Sequence, residues 1–151
     1  MYAAIRVRGQ VNISPGIKKT LCLLRLERVN HLALASDKQR GMLNKVQAYV
    51  TFGEIDEETL ALLLEKRGRI TGKKRLCKAF LKEKKFNSFS ELAKAVLVAK
   101  VSLKQVGVKP VFRLGPPKKG YERAGIKKGY RVGGALGYRA GDINKLIKRM
   151  V

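Results

Sequence analysis

This chain has few of the groups that usually carry acid–base, redox or metal chemistry. It holds one histidine and two cysteines, and 11 acids stand against 34 lysines and arginines. The histidine, His31, opens the apolar stretch HLALA, so it reads as structural and no base is paired with a nucleophile. Cys22 and Cys77 have no cysteine or histidine at metal-binding spacing. Cys22 sits inside LCLLRL, and both read as reduced, packed thiols. Asp56, Glu57 and Glu58 adjoin one another; neighbours on a helix do not converge on one ion, and the helix dipole explains acids at a helix start. The stretch GRITGK (Gly68 to Lys73) has too few residues between its glycines for a phosphate loop and is followed by Lys74 instead of Ser or Thr. The expectation is therefore no enzyme, no metal, no cofactor and no small-molecule substrate. Apolar runs are short as well. None approaches the roughly 18 residues of a membrane helix, and the first residues alternate as a strand where a signal peptide would have an apolar core. With no export or membrane signal, the cytoplasm is the expected location.

What is abundant is positive charge. The formal net charge is +23 and the pI about 10.5, yet 45% of the residues are hydrophobic, which describes a folded protein and not a basic tail. A surface kept soluble by charge mixes both signs and carries a net charge of magnitude about 2 to 8. A chain far beyond that range implies a polyanionic partner. Nucleic acid fits best, because each phosphate that a cation neutralises releases a condensed counterion. The excess is spread along the chain: 9 basic against 3 acidic residues in 1–54, 15 against 6 in 55–114, and 10 against 2 in 115–151.

Residues 1–54 read as strand, helix, strand, helix, strand. Tyr2 to Arg8 alternates as a half-buried strand with Arg6 and Arg8 on its polar face. Ser14 before Pro15 is a helix start, with Ile17, Leu21 and Leu24 on one face and an end near Asn30. His31 to Ala35 is a second strand, Asp37 caps a short helix with Met42, Leu43 and Val46 inward, and Tyr49 to Phe52 is a third strand. A small sheet backed by two helices, an α+β arrangement, buries these faces economically. Residues 55–114 then turn helical. Asp56 to Gly68 is one helix, Thr71 to Lys85 a heavily basic one, and Ser88 with Glu91 forms a capping box opening a third, with Leu92, Val96 and Ala99 on one face. Lys109 to Leu114 is extended, and Asp142 to Met150 is a closing helix with Ile143, Leu146 and Ile147 inward.

The stretch Gly115 to Arg139, GPPKKGYERAGIKKGYRVGGALGYR, has the most distinctive composition. It carries Lys118, Lys119, Arg123, Lys127, Lys128, Arg131 and Arg139 against the single acid Glu122. So many like charges would repel one another, so a partner of negative charge is expected to order this arm. Its glycines allow close backbone approach, and Tyr121, Tyr130 and Tyr138 are placed to stack on unpaired bases while the cations meet phosphates. A helix-turn-helix is the competing motif, in ELAKA (Glu91 to Ala95) followed by SLKQV (Ser102 to Val106). The apolar run Val96 to Ala99 replaces its turn glycine.

The segments ISPGIKKTLCLLRLERVNHLAL (Ile13 to Leu34), RGMLNKVQAYVTFGEID (Arg40 to Asp56) and KPVFRLGPPKKGYERAGIKKGY (Lys109 to Tyr130), with GGALGYRAGDINKLIKRM after them, resemble the ribosomal protein family called L30 in bacteria and L7 in eukaryotes. The resemblance covers essentially the whole chain and is to the long archaeal form, since Met1 leads directly into the first strand. It implies a three-stranded antiparallel sheet with two helices, a ferredoxin-like relative. It also implies a non-enzymatic component of the large ribosomal subunit that binds ribosomal RNA near the small 5S RNA, beside other large-subunit proteins. Carried over by position, the implied RNA contacts are Arg6 and Arg8, Ser14, Lys18 and Lys19, Lys38 and Arg40, and the cations of the arm. The organisation expected is a core RNA-binding domain in 1–54, a helical extension in 55–114, and in 115–151 a basic arm and helix packed back on the domain. A free-standing RNA- or DNA-binding regulator is the alternative; it requires a compact sequence-reading element, against which the diffuse charge argues.

Overall fold

The computed structural model describes residues 1–151 except Lys73, Lys85 and Lys100. Strand β1 (Tyr2–Arg6) lies at the centre of a mixed sheet. It pairs antiparallel with β2 (His31–Ala35) on one side and with β3 (Val50–Glu54) on the other. The sheet is wider than the expected three strands. β4 (Val111–Arg113) adds antiparallel to β2, and β5 (Gly137–Tyr138) adds parallel to β3, giving the order β4-β2-β1-β3-β5. The three antiparallel strands form its centre, while both edges come from distant parts of the chain that no local pattern links to the sheet.

Helices cover both faces. Tyr2, Ala4, Ala33 and Phe52 pack on one side against Leu21 and Leu24 of α1 (Pro15–Leu23) and its C-terminal end and against Leu43 of α2 (Arg40–Lys45). Ala3, Ile5, Leu32 and Phe112 pack on the other against Leu60, Leu63 and Leu64 of α3 (Glu57–Arg67). Leu81 of the short α4 (Lys78–Glu83), Leu92 and Val96 of α5 (Phe89–Leu97) and Ile143, Leu146 and Ile147 of α6 (Ile143–Met150) complete that second core. Each such side chain taken fully from water contributes about 1.5–3 kcal/mol. Because both faces are covered, all of β1 is buried, and Arg6 does not sit on the solvated face that the alternation suggests.

Several boundaries differ from expectation for physical reasons. α1 stops at Leu23 because Arg25 adopts a left-handed conformation (φ 60°), with the Leu26 amide donating to the Leu21 carbonyl at 2.8 Å and the Arg25 amide to Cys22 at 2.8 Å. This is a Schellman end with arginine where glycine is usual, which hides it from a sequence reading. The Ser14 hydroxyl makes no capping bond. The second helix is entered one residue before Asp37, through a 3-10 turn (Asp37–Gln39) that follows Ser36, whose amide donates to Gln39 Oε1 at 3.0 Å. The basic helix expected over Thr71 to Lys85 shrinks to α4. Arg69 and Arg75 are bridged antiparallel instead, and Lys73 and Lys85 lie outside the described residues.

The capping box expected before α5 is half realised: the Glu91 amide donates to Ser88 Oγ at 3.1 Å, but the Glu91 carboxylate accepts from the Asn87 amide, one residue before the cap, at 2.8 Å. No helix follows at Ser102 to Val106, so the helix-turn-helix cadence is not realised, and Ala99 is exposed while Ala93 takes the inward position. Both cysteines are exposed, not packed. On α1 the inward positions are Leu21 and, just past its end, Leu24, which leaves Cys22 turned about 100° away.

Candidate nucleic-acid interface

The arm expected to need a partner for order is folded against the sheet. Arg139, 3% exposed, anchors it. Its Nε donates to Thr51 Oγ1 at 2.7 Å, Nη1 and Nη2 donate to the two Glu122 carboxylate oxygens at 2.8 and 3.2 Å, and Nη2 also donates to the Ala135 carbonyl at 3.0 Å. Ala135 and Leu136 close a small apolar cluster with Val7. Burial pushes the Glu122 carboxyl up, but the hydrogen bonds from Arg139 and from its own backbone amide, with the charges of Arg139 and Arg149, outweigh it and hold it below its usual range. Gly134 fits because its α-carbon sits against the backbone of Lys128, where a Cβ would lie 2.2 Å from the carbonyl oxygen. Part of the arm's glycine content thus serves its own packing, not a ligand.

Folding the arm onto β3 creates a cleft of about 720 Å³ between it and α2. Arg8, Arg40, Lys127, Tyr130, Arg131 and Tyr138, all expected from sequence to meet RNA, line it. Arg8 lies over the Tyr49 ring at 5.0 Å, and Arg40 lies 5.9 Å from the Tyr2 ring and 6.0 Å from the Tyr138 ring. Tyr138 packs on Phe52 with centroids 5.6 Å apart and donates its hydroxyl to Glu54 Oε1 at 2.7 Å, a bond that raises its pKa. Tyr130 donates to Asp142 Oδ2 at 2.9 Å, which raises its pKa too, and has Arg139 over its ring at 4.5 Å.

The other expected contacts separate into two groups. Ser14, Lys18, Lys19 and Lys38 are exposed around α1 and the turn into α2, and Lys118, Lys119, Arg123 and Lys128 are exposed on the arm, away from the cleft lining. Arg6, Arg139 and Tyr121 are engaged within the protein. The Arg6 guanidinium, 3% exposed, donates to the carbonyls of Leu26, Glu27, Arg8 and Gly9 at 2.7–2.9 Å, and burial lowers its pKa. Tyr121 is half-buried against the second core and the small Val7 cluster and donates to Asn30 Oδ1 at 3.3 Å; burial raises its pKa. The expectation that these three face RNA gives way to a structural role, since their polar groups already have protein partners. His31 is half-buried, and burial together with the charges of Arg113 and Arg28 lowers its pKa. Asn44 and Gln47, which no sequence motif singles out, also line the cleft. Asn44, four residues on from Arg40, shares its face of α2, which is the signal that could have found it, whereas Gln47 lies in the turn after the helix, where no periodicity marks it.

A family profile, ribosomal protein L30p/L7e, matches residues 2–50. Across its whole length the chain is 53% identical to the large ribosomal subunit protein uL30 of Nanoarchaeum equitans, covering 99% of that protein. The chain belongs to the ribosomal protein L30p/L7e family. It is also 49% identical to uL30 of Methanococcus maripaludis over 99% of both chains, and 50% identical to uL30 of Thermofilum pendens over all of this chain and 99% of that one. Membership in the L30p/L7e family accounts for a chain with a strong cationic surface and no catalytic set: it is a ribosomal protein and not an enzyme. Among the described residues no group of three or more His, Cys, Asp or Glu is placed to hold a metal, and no helix is long and apolar enough to cross a membrane.

Proposed function

We propose that this chain is a structural constituent of the large ribosomal subunit in the cytoplasm, where it binds ribosomal RNA and supports subunit assembly and translation. The observation that carries this is the full-length likeness to proteins named as large-subunit uL30, joined to a net charge of +23 spread along the whole chain. The cleft cations Arg8, Arg40, Lys127 and Arg131 contact phosphates, as do Lys18, Lys19, Lys38, Lys118, Lys119, Arg123 and Lys128 elsewhere on the surface, and Ser14 adds a hydroxyl. Tyr130 and Tyr138 supply aromatic surface. Residues 1–54 act as the RNA-binding core, 55–114 as an extension covering the far face of the sheet, and 115–151 as the arm and closing helix that complete the cleft. The RNA lies near the small 5S RNA, with other large-subunit proteins alongside.

Sedimentation of a cell lysate tests the assignment: the protein is expected to travel with the large subunit after a high-salt wash, and recovery chiefly in the soluble fraction would refute it. Replacing Lys127 and Lys128 by alanine is expected to lower the slope of log affinity against log salt by roughly 0.7 to 0.9 for each phosphate left without its lysine. Salt titrations of RNA binding read this directly, and an unchanged slope would show that these lysines do not meet phosphate.

A further inference from the structure

We propose that the cleft between α2 and the arm receives a single unpaired nucleotide of the bound RNA, its base held by Asn44 and Gln47 and its phosphate by Arg40. This rests on the RNA-binding reading and narrows it from RNA in general to RNA with an extruded or bulged base. Three observations carry it. The first is shape. A cleft of about 720 Å³ is within the roughly 300–1,000 Å³ of sites that enclose a small molecule. A base held in a duplex cannot turn into such a recess, and the deep, narrow major groove of A-form RNA keeps paired base edges from side chains.

The second observation is chemistry at the walls. Among the described residues the side-chain amides of Asn44 and Gln47 have no hydrogen-bond partner, though both residues are exposed and line the cleft. An amide offers a donor and an acceptor side by side, the pair that a base edge requires and a phosphate does not. For phosphate alone, cations would serve at both positions. The cleft also has an apolar floor: Phe52 and Leu136 are 1% and 5% exposed and line the recess. A flat, weakly hydrated base loses little on entering such a floor, whereas a charged phosphate would lose its hydration without a partner.

The third is the setting of Arg40. Its guanidinium is placed near the rings of both Tyr2 and Tyr138 and, among the described residues, makes no hydrogen bond or ion pair. Ring contacts orient the planar fork while leaving its N–H donors free, which suits bidentate capture of a phosphate. Arg6 and Arg139, by contrast, have carbonyl and carboxylate partners throughout. Arg40 is therefore oriented for a ligand and not for the fold.

The test uses the full chain and two short RNA hairpins of the same stem, one fully paired and one carrying a single bulged 2-aminopurine. The bulged hairpin is expected to bind about tenfold more tightly, in line with one well-made pair of hydrogen bonds to a base edge, and its fluorescence to change as the base leaves water. Asn44→Ala combined with Gln47→Ala is expected to abolish that preference while leaving the affinity for the paired hairpin, its salt slope and the thermal unfolding midpoint unchanged, since both residues are exposed. Equal affinity for the two hairpins, or a preference that survives the double substitution, would overturn the nucleotide site while leaving the RNA-binding reading intact. Failure to bind either hairpin would overturn both.

Discussion

Arg139→Met is expected to lower the free energy of unfolding by about 3 kcal/mol or more, at the level measured when one partner of a buried ion pair is removed. The affinity for the RNA hairpins should fall only as far as the arm loosens, and the salt slope of the molecules that remain folded should not change, because Arg139 meets no phosphate. The reason is in the geometry. The guanidinium is closed off from solvent and bonded to Thr51, Glu122 and Ala135, so removing it leaves the Glu122 carboxylate with its own backbone amide and the longer Arg149 contact at 3.5 Å. Methionine fills the space and restores none of those bonds. Urea unfolding of the two proteins measures the difference, and a loss below about 1 kcal/mol would place the pair among surface ion pairs. The pH dependence follows with a definite sign. The folded pKa of Glu122 lies below its unfolded value, so its contribution is fully present above about pH 4.3 and is lost as pH falls from there through the folded pKa. Glu122→Gln should flatten that part of the acid unfolding profile.

Gly53→Ala is expected to cost about 3 kcal/mol, at the upper end of overpacking effects, or to prevent folding. Gly53 lies on β3 opposite Ala3, on the face that meets the turn into α6. A Cβ there would stand 2.0 Å from the Ala140 carbonyl oxygen and 3.1 Å from Ile143 Cβ. The obstruction is backbone, which cannot turn aside as a side chain does, so the turn and the start of α6 must move away from the sheet. Gly41→Ala provides the contrast. It lies in α2 with nothing within 4 Å of the added carbon, and alanine there should stabilise the helix by roughly 0.5–1 kcal/mol. Thermal or urea unfolding of both variants tests the pair, and similar midpoints would show that the sheet yields more readily than this packing allows.

Elements whose ends are written in local chemistry are readable from sequence. β2 matches His31 to Ala35, α3 begins after Asp56 and ends at Gly68, α5 begins after Ser88, and α6 carries Ile143, Leu146 and Ile147 inward. Caps, breakers and periodicity act within a few residues, so they survive translation into a string. The end of α1 is not readable, because an arginine takes the left-handed position that glycine usually marks. β4 and β5 are not recognisable as sheet edges either: one is three residues long, the other two, and each gains its ladder from a strand far away in the chain.

The sequence by itself determined the partner class and the family: a net charge of +23 without a catalytic set describes a protein built to sit on a polyanion, and its segments carry the family's likeness along their whole length. Only the tertiary structure decided which cations stay open to solvent. Arg6 and Arg40 are both arginines in basic surroundings, and Arg139 follows Tyr138 directly in the arm. Yet Arg6 and Arg139 are 3% exposed and bonded inward, while Arg40 and Tyr138 line an open cleft. The physical reason is that burial depends on which distant carbonyls, carboxylates and apolar side chains arrive around a residue. For Arg139 those arrive from residues 51, 122 and 135, and no short window along the chain contains all of them with the strand that brings them together.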